Sequence, residues 1–231
     1  MTRERNNTKA GDFMTRNKKT EWLKKYTSIE HLEDILTKNR LHLANPESWE
    51  DKNDIELIKH YRSKMGIKDI RILCMNESAD RYHFWKIYGQ ERQGVCLWFE
   101  KLEFTNNLKK IEYPKTKYRC VSYYDPKNPQ KIETDDLPFL KRVQYEDEQE
   151  FRIISQYDQP LEDEPEFIPF DRYSLKKIYI NDWVKGAELD SITTMVKNLT
   201  VDYTHITDCK IQQNKTLGFD TWITAVLKAT K

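Results

Sequence analysis

The stretch YEDEQEFRI, residues 145–153, places four acidic side chains directly before an alternating apolar segment. Side chains along a strand point to its two faces in turn. A strand that begins by Glu148 therefore carries Glu148, Glu150 and Arg152 on one face. The phenylalanine and isoleucine that alternate with them occupy the other, buried face. The stretch thus predicts a strand with one charged face and one apolar face.

The two carboxylates of this strand have a spacing that permits catalysis. A two-residue step separates Glu148 from Glu150 by about 7 Å. One carboxylate can then stabilise a developing cation while the other orients a nucleophile or a ribose hydroxyl. Arg152 beside them keeps a carboxylate ionised through charge pairing. The alternative is an exposed strand edge that its charges protect from pairing with other chains.

Apolar patterns on both sides of this stretch predict an α+β fold. The run Val95–Phe99 is the strongest signal for a buried strand. Further strands are predicted at residues 22–26, 41–43, 70–75, 118–124, 150–155, 177–180 and 203–211. Helices are predicted over residues 28–38, 55–64, 80–88 and 187–199, with loops or linkers over residues 103–116, 125–136 and 158–170. The elements mix without regular βαβ spacing, which favours a mixed, mostly antiparallel sheet with flanking helices.

Local signals set the ends of two of these helices. Thr27 and Glu30 have the spacing of a capping box, so Thr27 is the predicted N-cap of the first helix. Asn39 is its predicted C-terminal stop. The third helix is predicted to begin at Ser78 or Asp80 and to close at a glycine, residue 89.

The chain is expected to have two parts. Residues 1–20 are predicted to form a mobile basic arm, since they carry six basic side chains against two acidic ones and no apolar periodicity. Such an arm contacts RNA or DNA, or it is a solvated tail. Residues 21–231 are predicted to form a single α+β domain. The N-terminus has no apolar signal region, so a cytoplasmic protein with reduced thiols is expected.

Composition excludes several classes of function. The 231 residues include 39 basic and 38 acidic side chains, a net charge of +1, so no global field attracts nucleic acid or an anionic membrane. Nucleic acid is expected only at the basic arm, and no membrane partner is expected. The six glycines form neither GxGxxG nor a Walker loop, which argues against a Rossmann dinucleotide site or a P-loop. The four cysteines form no CxxC pair, and no metal is expected.

An aromatic segment, HFWKIYG at residues 83–89, precedes the buried strand. Trp85 and Tyr88 are three residues apart and share one helix face. Aromatic side chains at this spacing pack in a core, or they form a wall against which a planar ligand stacks. The turn at Asn45-Pro46 and the acidic loop after it are either ordinary turn chemistry or the rim of a pocket.

The order of several short motifs resembles a widespread bacterial family, the domain of unknown function number twenty-nine seventy-one. The resemblance covers roughly residues 22–211. It rests on the following motifs in order: Lys25-Tyr26 with Ser28-x-x-x-Leu32-x-x-Ile35-Leu36, Leu41-x-Leu43-Ala44-Asn45-Pro46, LCMNES at 73–78, FWKIYG and QGVCLWF within 84–99, YEDEQEFRI, and LKKIYI at 175–180.

A second resemblance, at the level of the fold, is to ADP-ribosyltransferases, which bind NAD in a split, mostly antiparallel sheet. It rests on a short first strand, a helix that ends in an Ile-Leu pair, a second short strand and a late Glu-x-Glu strand. The resemblance implies that NAD is the substrate, that Glu150 is the catalytic glutamate and that Glu148 orients the acceptor. It also implies a ribose contact from Tyr26 or Lys25 and an aromatic ring stacked on the nicotinamide. On this hypothesis Trp85 and Tyr88 supply the ring, Tyr26 and Asn45 line the pocket, and Arg152 is a further cofactor-binding residue.

These expectations lead to competing hypotheses. The first is a bacterial or phage-encoded transferase or defence effector that uses a nucleotide, with NAD-dependent ADP-ribosyl transfer as its reaction and an unknown macromolecular acceptor. The second is a non-catalytic module whose acidic strand and aromatic helix bind a protein partner. Metal-dependent hydrolysis is the least favoured, because the acids of residues 47–54 lack the spacing of an EF-hand loop.

Overall fold

The computed structural model describes residues 21–89, 93–162, 164–203, 211–214 and 219–229. The predicted basic arm, residues 1–20, lies outside the described residues, as do residues 204–210 of the predicted last strand. The strands are β1 Trp22–Ser28, β2 Arg40–Leu43, β3 Asp69–Asn76, β4 Gly94–Glu100, β5 Lys115–Cys120, β6 Ser122–Tyr124, β7 Leu140–Arg142, β8 Glu150–Tyr157, β9 Glu166–Pro169, β10 Leu175–Ile180 and β11 Ile211–Gln213. The helices are α1 Leu32–Lys38, α2 Lys52–Met65, α3 Tyr82–Ile87, α4 Lys101–Leu108, α5 Gly186–Leu199 and α6 Phe219–Ala229.

Seven strands form the central sheet, in the order β11-β10-β4-β1-β3-β8-β5. All neighbours in it are antiparallel except β10 and β11, which are parallel. Two smaller sheets pair β2 with β9 and β6 with β7. The predicted α+β class with a mostly antiparallel sheet is confirmed. Within the described ranges, no helix combines the length and hydropathy that a bilayer crossing demands.

The predicted start of the first helix is wrong. Thr27 does not cap a helix, because it pairs with Val95 in the β1–β4 ladder. β1 continues to Ser28, and a 3-10 turn over Ile29–His31 leads into α1. The predicted stop at Asn39 is confirmed, since this residue adopts a left-handed conformation with φ of 50° directly after α1.

Other element boundaries also differ from the prediction. The segment 103–116 is not a loop throughout, because α4 buries Phe104 and Leu108, one helical turn apart. Helix α3 begins at Tyr82, later than predicted. The predicted strand over 118–124 is interrupted between β5 and β6, and the predicted linker over 158–170 contains β9.

The strand of the acidic stretch begins later than Glu148. Gln149 has a left-handed backbone with φ of 45° and ends a 3-10 turn over Val143–Glu148, so the strand starts at Glu150. Glu148 therefore does not share a strand face with Glu150. The interpretation as an exposed edge is also wrong, because β8 lies between β3 and β5 and all eight of its residues are buried.

Each face of the central sheet has its own core. One face carries the largest apolar cluster, which includes Leu97, Phe99 and Ile153 and packs against α1, α4 and α5. The opposite face is covered in two places. Helix α2 packs over β3 and β8 through Ile58 and Tyr61, and α3 packs over β1 and β4.

The two halves of the central sheet meet at a short contact. β1 pairs with β4 along all seven of its residues, and β3 pairs with β8 along all eight. Between β1 and β3, by contrast, the register includes the single pair Lys24 and Asn76. The strand ends on either side of this contact are therefore where the sheet is least constrained by its own hydrogen bonds.

Phe99→Ala should lower the free energy of unfolding by about 3–5 kcal/mol, because the ring has no exposed surface and packs on Phe104 with centroids 5.0 Å apart. The measurement is chemical denaturation. Leu102→Ala is the matched control on the exposed side of α4, with 57% of its surface exposed, and should cost less than about 1 kcal/mol. Equal losses for the two variants would contradict the assigned core.

Candidate functional site

Glu150 lies at the centre of a buried ionic cluster. Its Oε1 accepts a hydrogen bond from Arg152 Nε at 2.7 Å, and its Oε2 accepts one from Arg152 Nη2 at 3.0 Å. Lys141 Nζ also reaches Oε2, at 3.3 Å. Glu150 is 4% exposed and Arg152 is 1% exposed. The two residues share one face of β8, as the alternation predicts, but that face is as buried as the other.

Arg152 ties this cluster to two other elements. Its Nη2 donates to Asp54 Oδ2 at 3.0 Å, and its Nη1 donates to the Pro138 carbonyl at 2.9 Å. Asp54 belongs to the first turn of α2, and Pro138 to a 3-10 turn. The guanidinium is therefore held by β8, α2 and a connecting turn at once. Sequence reasoning missed Asp54, which lies 98 residues from its partner and belongs to no motif with it.

Glu148 joins the cluster from the preceding turn. Its Oε2 accepts a hydrogen bond from Lys141 Nζ at 2.6 Å, and its Oε1 accepts one from the Tyr88 hydroxyl at 3.0 Å. The ammonium group of Lys141 thus bridges Glu148 and Glu150. The carboxylate pair that the sequence predicts does form, but through this lysine on β7 and not through a shared strand face.

The electrostatics of the cluster keep Glu150 ionised. Burial alone would raise the pKa of its carboxyl, but Arg152 and Lys141 outweigh burial and lower the pKa to about 2. Burial likewise opposes the charge on Lys141, yet attraction to Glu150 and Glu148 raises its pKa above the ordinary value. Burial raises the pKa of Asp54, and Arg152 only partly offsets this. Among the described residues, no three His, Cys, Asp or Glu side chains are grouped to hold a metal ion.

The two predicted ring residues lie in different environments. Trp85 is 1% exposed and packs edge-on against Tyr26, with ring centroids 5.1 Å apart, so it belongs to the core under α3. Tyr88 directly follows α3 and is 43% exposed. Its hydroxyl donates a hydrogen bond to Glu148. Because the two rings lie in different surroundings, they do not form one wall.

Helix α3 ends at Ile87, and the glycine predicted to close it, Gly89, follows two residues later. A side chain at Gly89 would place its Cβ 2.7 Å from the Trp85 carbonyl oxygen, which is backbone and cannot give way. Only glycine fits there without moving the end of the helix. The position of Tyr88, and hence its bond to Glu148, depends on this close approach.

The first-strand candidates point to separate places. The Tyr26 hydroxyl donates to Asp80 Oδ1 at 2.6 Å and makes no contact with the carboxylates of the acidic stretch. Lys25 Nζ lies 3.4 Å from the Cys74 carbonyl oxygen. Burial lowers the pKa of Lys25, and attraction to Cys74 and Glu150 opposes that lowering.

Asn45 is not brought to the acidic cluster. It caps a 3-10 turn over Pro46–Ser48, where its Oδ1 accepts a hydrogen bond from the Glu47 backbone N–H at 3.0 Å. It lines a cavity of about 280 Å³ together with His42 and Arg71. No residue of the ionic cluster lines that cavity, so the structure does not bring Asn45 and Glu150 together there.

Asn76 is a second residue that sequence reasoning missed. It pairs with Glu150 across β3 and β8 and with Lys24 across β1 and β3, at the centre of the sheet. Its Oδ1 is buried, and within the described part of the chain no group donates a hydrogen bond to it. A buried acceptor without a donor is uncommon. The Tyr123 hydroxyl accepts from the Glu150 backbone N–H at 2.8 Å on the same strand end.

The model of a family described as "Protein of unknown function (DUF2971)" matches residues 84–153, which run from α3 into β8. The resemblance to that family is confirmed over this segment, which contains Tyr88, Lys141, Glu148 and Glu150. No curated protein matches the chain in sequence.

Two solved structures have a distantly similar course of the chain. Thermus sp. 2.9 DarT in complex with NAD+ is 9% identical, with a TM-score of 0.42 and coverage of 85% of this chain and 96% of that chain. Thermus sp. 2.9 DarT in complex with ADP-ribosylated ssDNA is 10% identical, with a TM-score of 0.41 and coverage of 85% and 95%. At this distance, the chemistry of the site rests on the residues of this chain.

Glu150→Gln should reduce the pH dependence of stability between pH 4.5 and 2. The pKa of Glu150 is about 2 when folded and 4.5 as a free side chain, so its carboxylate stabilises the fold above pH 4.5. That contribution, on the order of 3 kcal/mol, is lost as the pH falls toward 2. Urea unfolding of both proteins at pH 5 and pH 3 measures the part lost by pH 3, about 2 kcal/mol.

The control for this measurement is Glu146→Gln, an exposed residue of the same acidic stretch. It should leave the pH dependence of the free energy of unfolding as in the parent chain. A Glu150→Gln variant whose stability falls with pH as steeply as the parent's would show that Glu150 is not held ionised by Arg152 and Lys141.

Proposed function

We propose that this chain is a transferase that uses NAD as substrate and moves its ADP-ribose group to an acceptor. Glu150 is the catalytic carboxylate and Glu148 orients the acceptor. The observation that carries the proposal is the Glu150 carboxylate, held ionised in fixed geometry at the start of β8. The resemblance of the Glu-x-Glu segment and the elements before it to ADP-ribosyltransferases supports the choice of NAD.

The reaction needs the kind of charge that Glu150 supplies. The bond between ribose C1′ and the nicotinamide nitrogen breaks, and its electron pair leaves with neutral nicotinamide. Positive charge then develops on C1′ and the ring oxygen of the ribose. A carboxylate fixed beforehand stabilises that charge without reorganisation. The acceptor forms the new bond to C1′ and releases its proton to Glu148 as general base.

Lys141 and Tyr88 shield the two carboxylates in the described conformation. In the proposed reaction, the positively charged nicotinamide ring of NAD competes with the Lys141 ammonium for them. Asn76 Oδ1, next to Glu150 and without a donor in the described residues, accepts a hydrogen bond from a ribose hydroxyl. Of the two first-strand candidates, Lys25 is retained as a nucleotide contact, because the Tyr26 hydroxyl is bonded to Asp80.

The test of this proposal is release of nicotinamide from NAD by the purified full chain, with water as the acceptor. Glu150→Gln should lower the turnover rate about 10²–10³-fold, the usual effect of removing a group that stabilises transition-state charge. Because this variant leaves Arg152 with one carboxylate partner fewer, it should also unfold at a lower temperature. Its activity is therefore measured well below its own midpoint.

Glu146→Gln is the matched control and should turn over NAD at the rate of the parent chain, because its side chain is exposed and outside the cluster. Two results would contradict the proposal. One is a folded Glu150→Gln variant with the parent's rate. The other is a parent chain that neither binds NAD at millimolar concentration nor releases nicotinamide.

A second function is favoured by the surface of α3. Its exposed side includes Tyr82 and Ile87, which are 55% and 64% exposed, beside Tyr88. Large exposed apolar side chains near one another on the surface can mark a protein-binding site. In this alternative, the ionic cluster stabilises the fold and α3 contacts a protein partner. Ile87→Ser would then weaken association with the partner, whereas the transferase proposal expects no change in nicotinamide release.

A further inference from the structure

A cavity of about 570 Å³ opens on the sheet face that α3 covers, beside β4 and β10. Its walls include Trp98 and Tyr179, whose ring centroids are 5.1 Å apart, and the buried Trp85. Its volume is within the range of small-molecule sites in proteins, which is about 300–1,000 Å³. The cavity beside Asn45 is below that range, at about 280 Å³.

Polar groups line the same cavity in fixed positions. The Asp80 carboxylate accepts hydrogen bonds from the Tyr26 hydroxyl at 2.6 Å, from Trp85 Nε1 at 2.8 Å and from Asn214 Nδ2. The carboxamides of Asn214 and Gln212 line it as well. A carboxamide offers both donors and acceptors, as the edge of a nucleobase does.

Two lysines contact the rings beside the cavity. Lys24 Nζ is 4.7 Å from the Trp98 ring centroid, and Lys177 Nζ is 5.2 Å from it and 4.9 Å from the centroid of Trp22. The nearby acids are Asp80, within the cavity, and Glu100, which lies 3.6 Å from another lysine, Lys176. Lys24 is 5% exposed and its Nζ donates to the Ser78 carbonyl, whereas Lys177 is partly exposed, so Lys177 is the ammonium group that a ligand in the cavity can reach.

We propose that this cavity binds a nucleobase that carries a phosphate. The base stacks on Trp98 and Tyr179, because every base has a π-face that aromatic side chains can cover. Its edge meets Asp80 and the carboxamide of Asn214, and its phosphate lies toward Lys177. A ligand without an anionic group would form no ion pair with Lys177.

This binding site goes beyond the proposed transfer reaction and does not depend on it. None of the residues that line the cavity belongs to the ionic cluster of Glu148 and Glu150. The base comes from a free mononucleotide or from a single-stranded oligonucleotide, which present the same chemistry. These two sources are distinguished by the ligands used in the test.

The test measures binding of AMP, GMP, CMP and UMP, their nucleosides, and short single-stranded oligonucleotides to the full chain. Ligand-observed NMR and tryptophan fluorescence report the affinity. Trp98→Ala should weaken binding about tenfold or more, the loss typical of one stacking ring. Lys177→Gln should weaken binding of nucleotides but not of nucleosides, because only nucleotides carry the phosphate.

Matched controls separate this site from general effects. Trp222→Ala removes a tryptophan that is 63% exposed on α6, and Lys52→Gln removes an exposed lysine on α2. Both should bind as the parent chain does. Glu150→Gln should also keep this binding, so failure of the transferase proposal and failure of this one are distinguishable.

The possible results assign the source or overturn the proposal. Tighter binding of mononucleotides identifies a free nucleotide, and tighter binding of oligonucleotides identifies a base within a strand. Absence of binding by every ligand at millimolar concentration overturns the site. The proposal is also overturned by two results obtained together. Lys177→Gln would bind both nucleotides and nucleosides as the parent does, and a folded Trp98→Ala variant would keep the parent's affinity.

Discussion

The charge of Arg152 in the interior is the constraint on which the candidate site depends. A guanidinium with 1% of its surface exposed must be paired and hydrogen-bonded, because an unpaired charge there costs several kcal/mol. Glu150, Asp54 and the Pro138 carbonyl satisfy it together. The start of β8, the first turn of α2 and the turn before β7 are thereby held in one arrangement. Glu150 has little freedom to turn, since its two oxygens are both committed.

The same constraint explains why Glu148 and Lys141 are close. Once Glu150 is fixed at the start of β8, Lys141 on β7 reaches it and the turn before it, and so bridges the two carboxylates. A buried ionic cluster is a weak source of stability, since well-packed apolar side chains of similar volume often do as well. Under the proposed function, the cluster instead holds a carboxylate whose charge is set before a ligand arrives. Charged side chains at buried positions, where residue type and environment conflict, are typical of functional sites.

Part of this arrangement follows from local sequence. The apolar run Val95–Phe99 gave the central strand, and the alternation around Glu150 gave its shared face with Arg152. The position of Glu148 could not be read in this way, because it depends on the left-handed backbone of Gln149, a residue type with no strong preference for it. Asp54, the partner of Arg152, could not be predicted either. Its contact with Arg152 spans 98 residues, and only the tertiary fold brings the two together.

The exposed-edge interpretation failed for a related reason. Charge in a strand is typical of an edge, because burial of unpaired charge is costly. Here the charge is buried and paired, so the strand is internal although its sequence reads as polar at one end. The helix α4 was missed because its buried positions, Phe104 and Leu108, are the only two large apolar side chains on its inner face among polar neighbours. Both predictions were wrong because local composition does not reveal which charges pair, or which side chains pack together, in the folded chain.

Helix α3 and the residue after it connect the aromatic cavity with the ionic cluster. Trp85 bonds to Asp80 in the aromatic cavity, and three residues later Tyr88 bonds to Glu148 in the ionic cluster. Gly89 allows the chain after this helix to lie close to the Trp85 carbonyl oxygen. A displacement of α3 therefore changes the cavity wall and the cover of the carboxylates together. If each site holds a ligand, the free energy of this coupling is shared equally by both binding equilibria, since linkage between two sites is reciprocal.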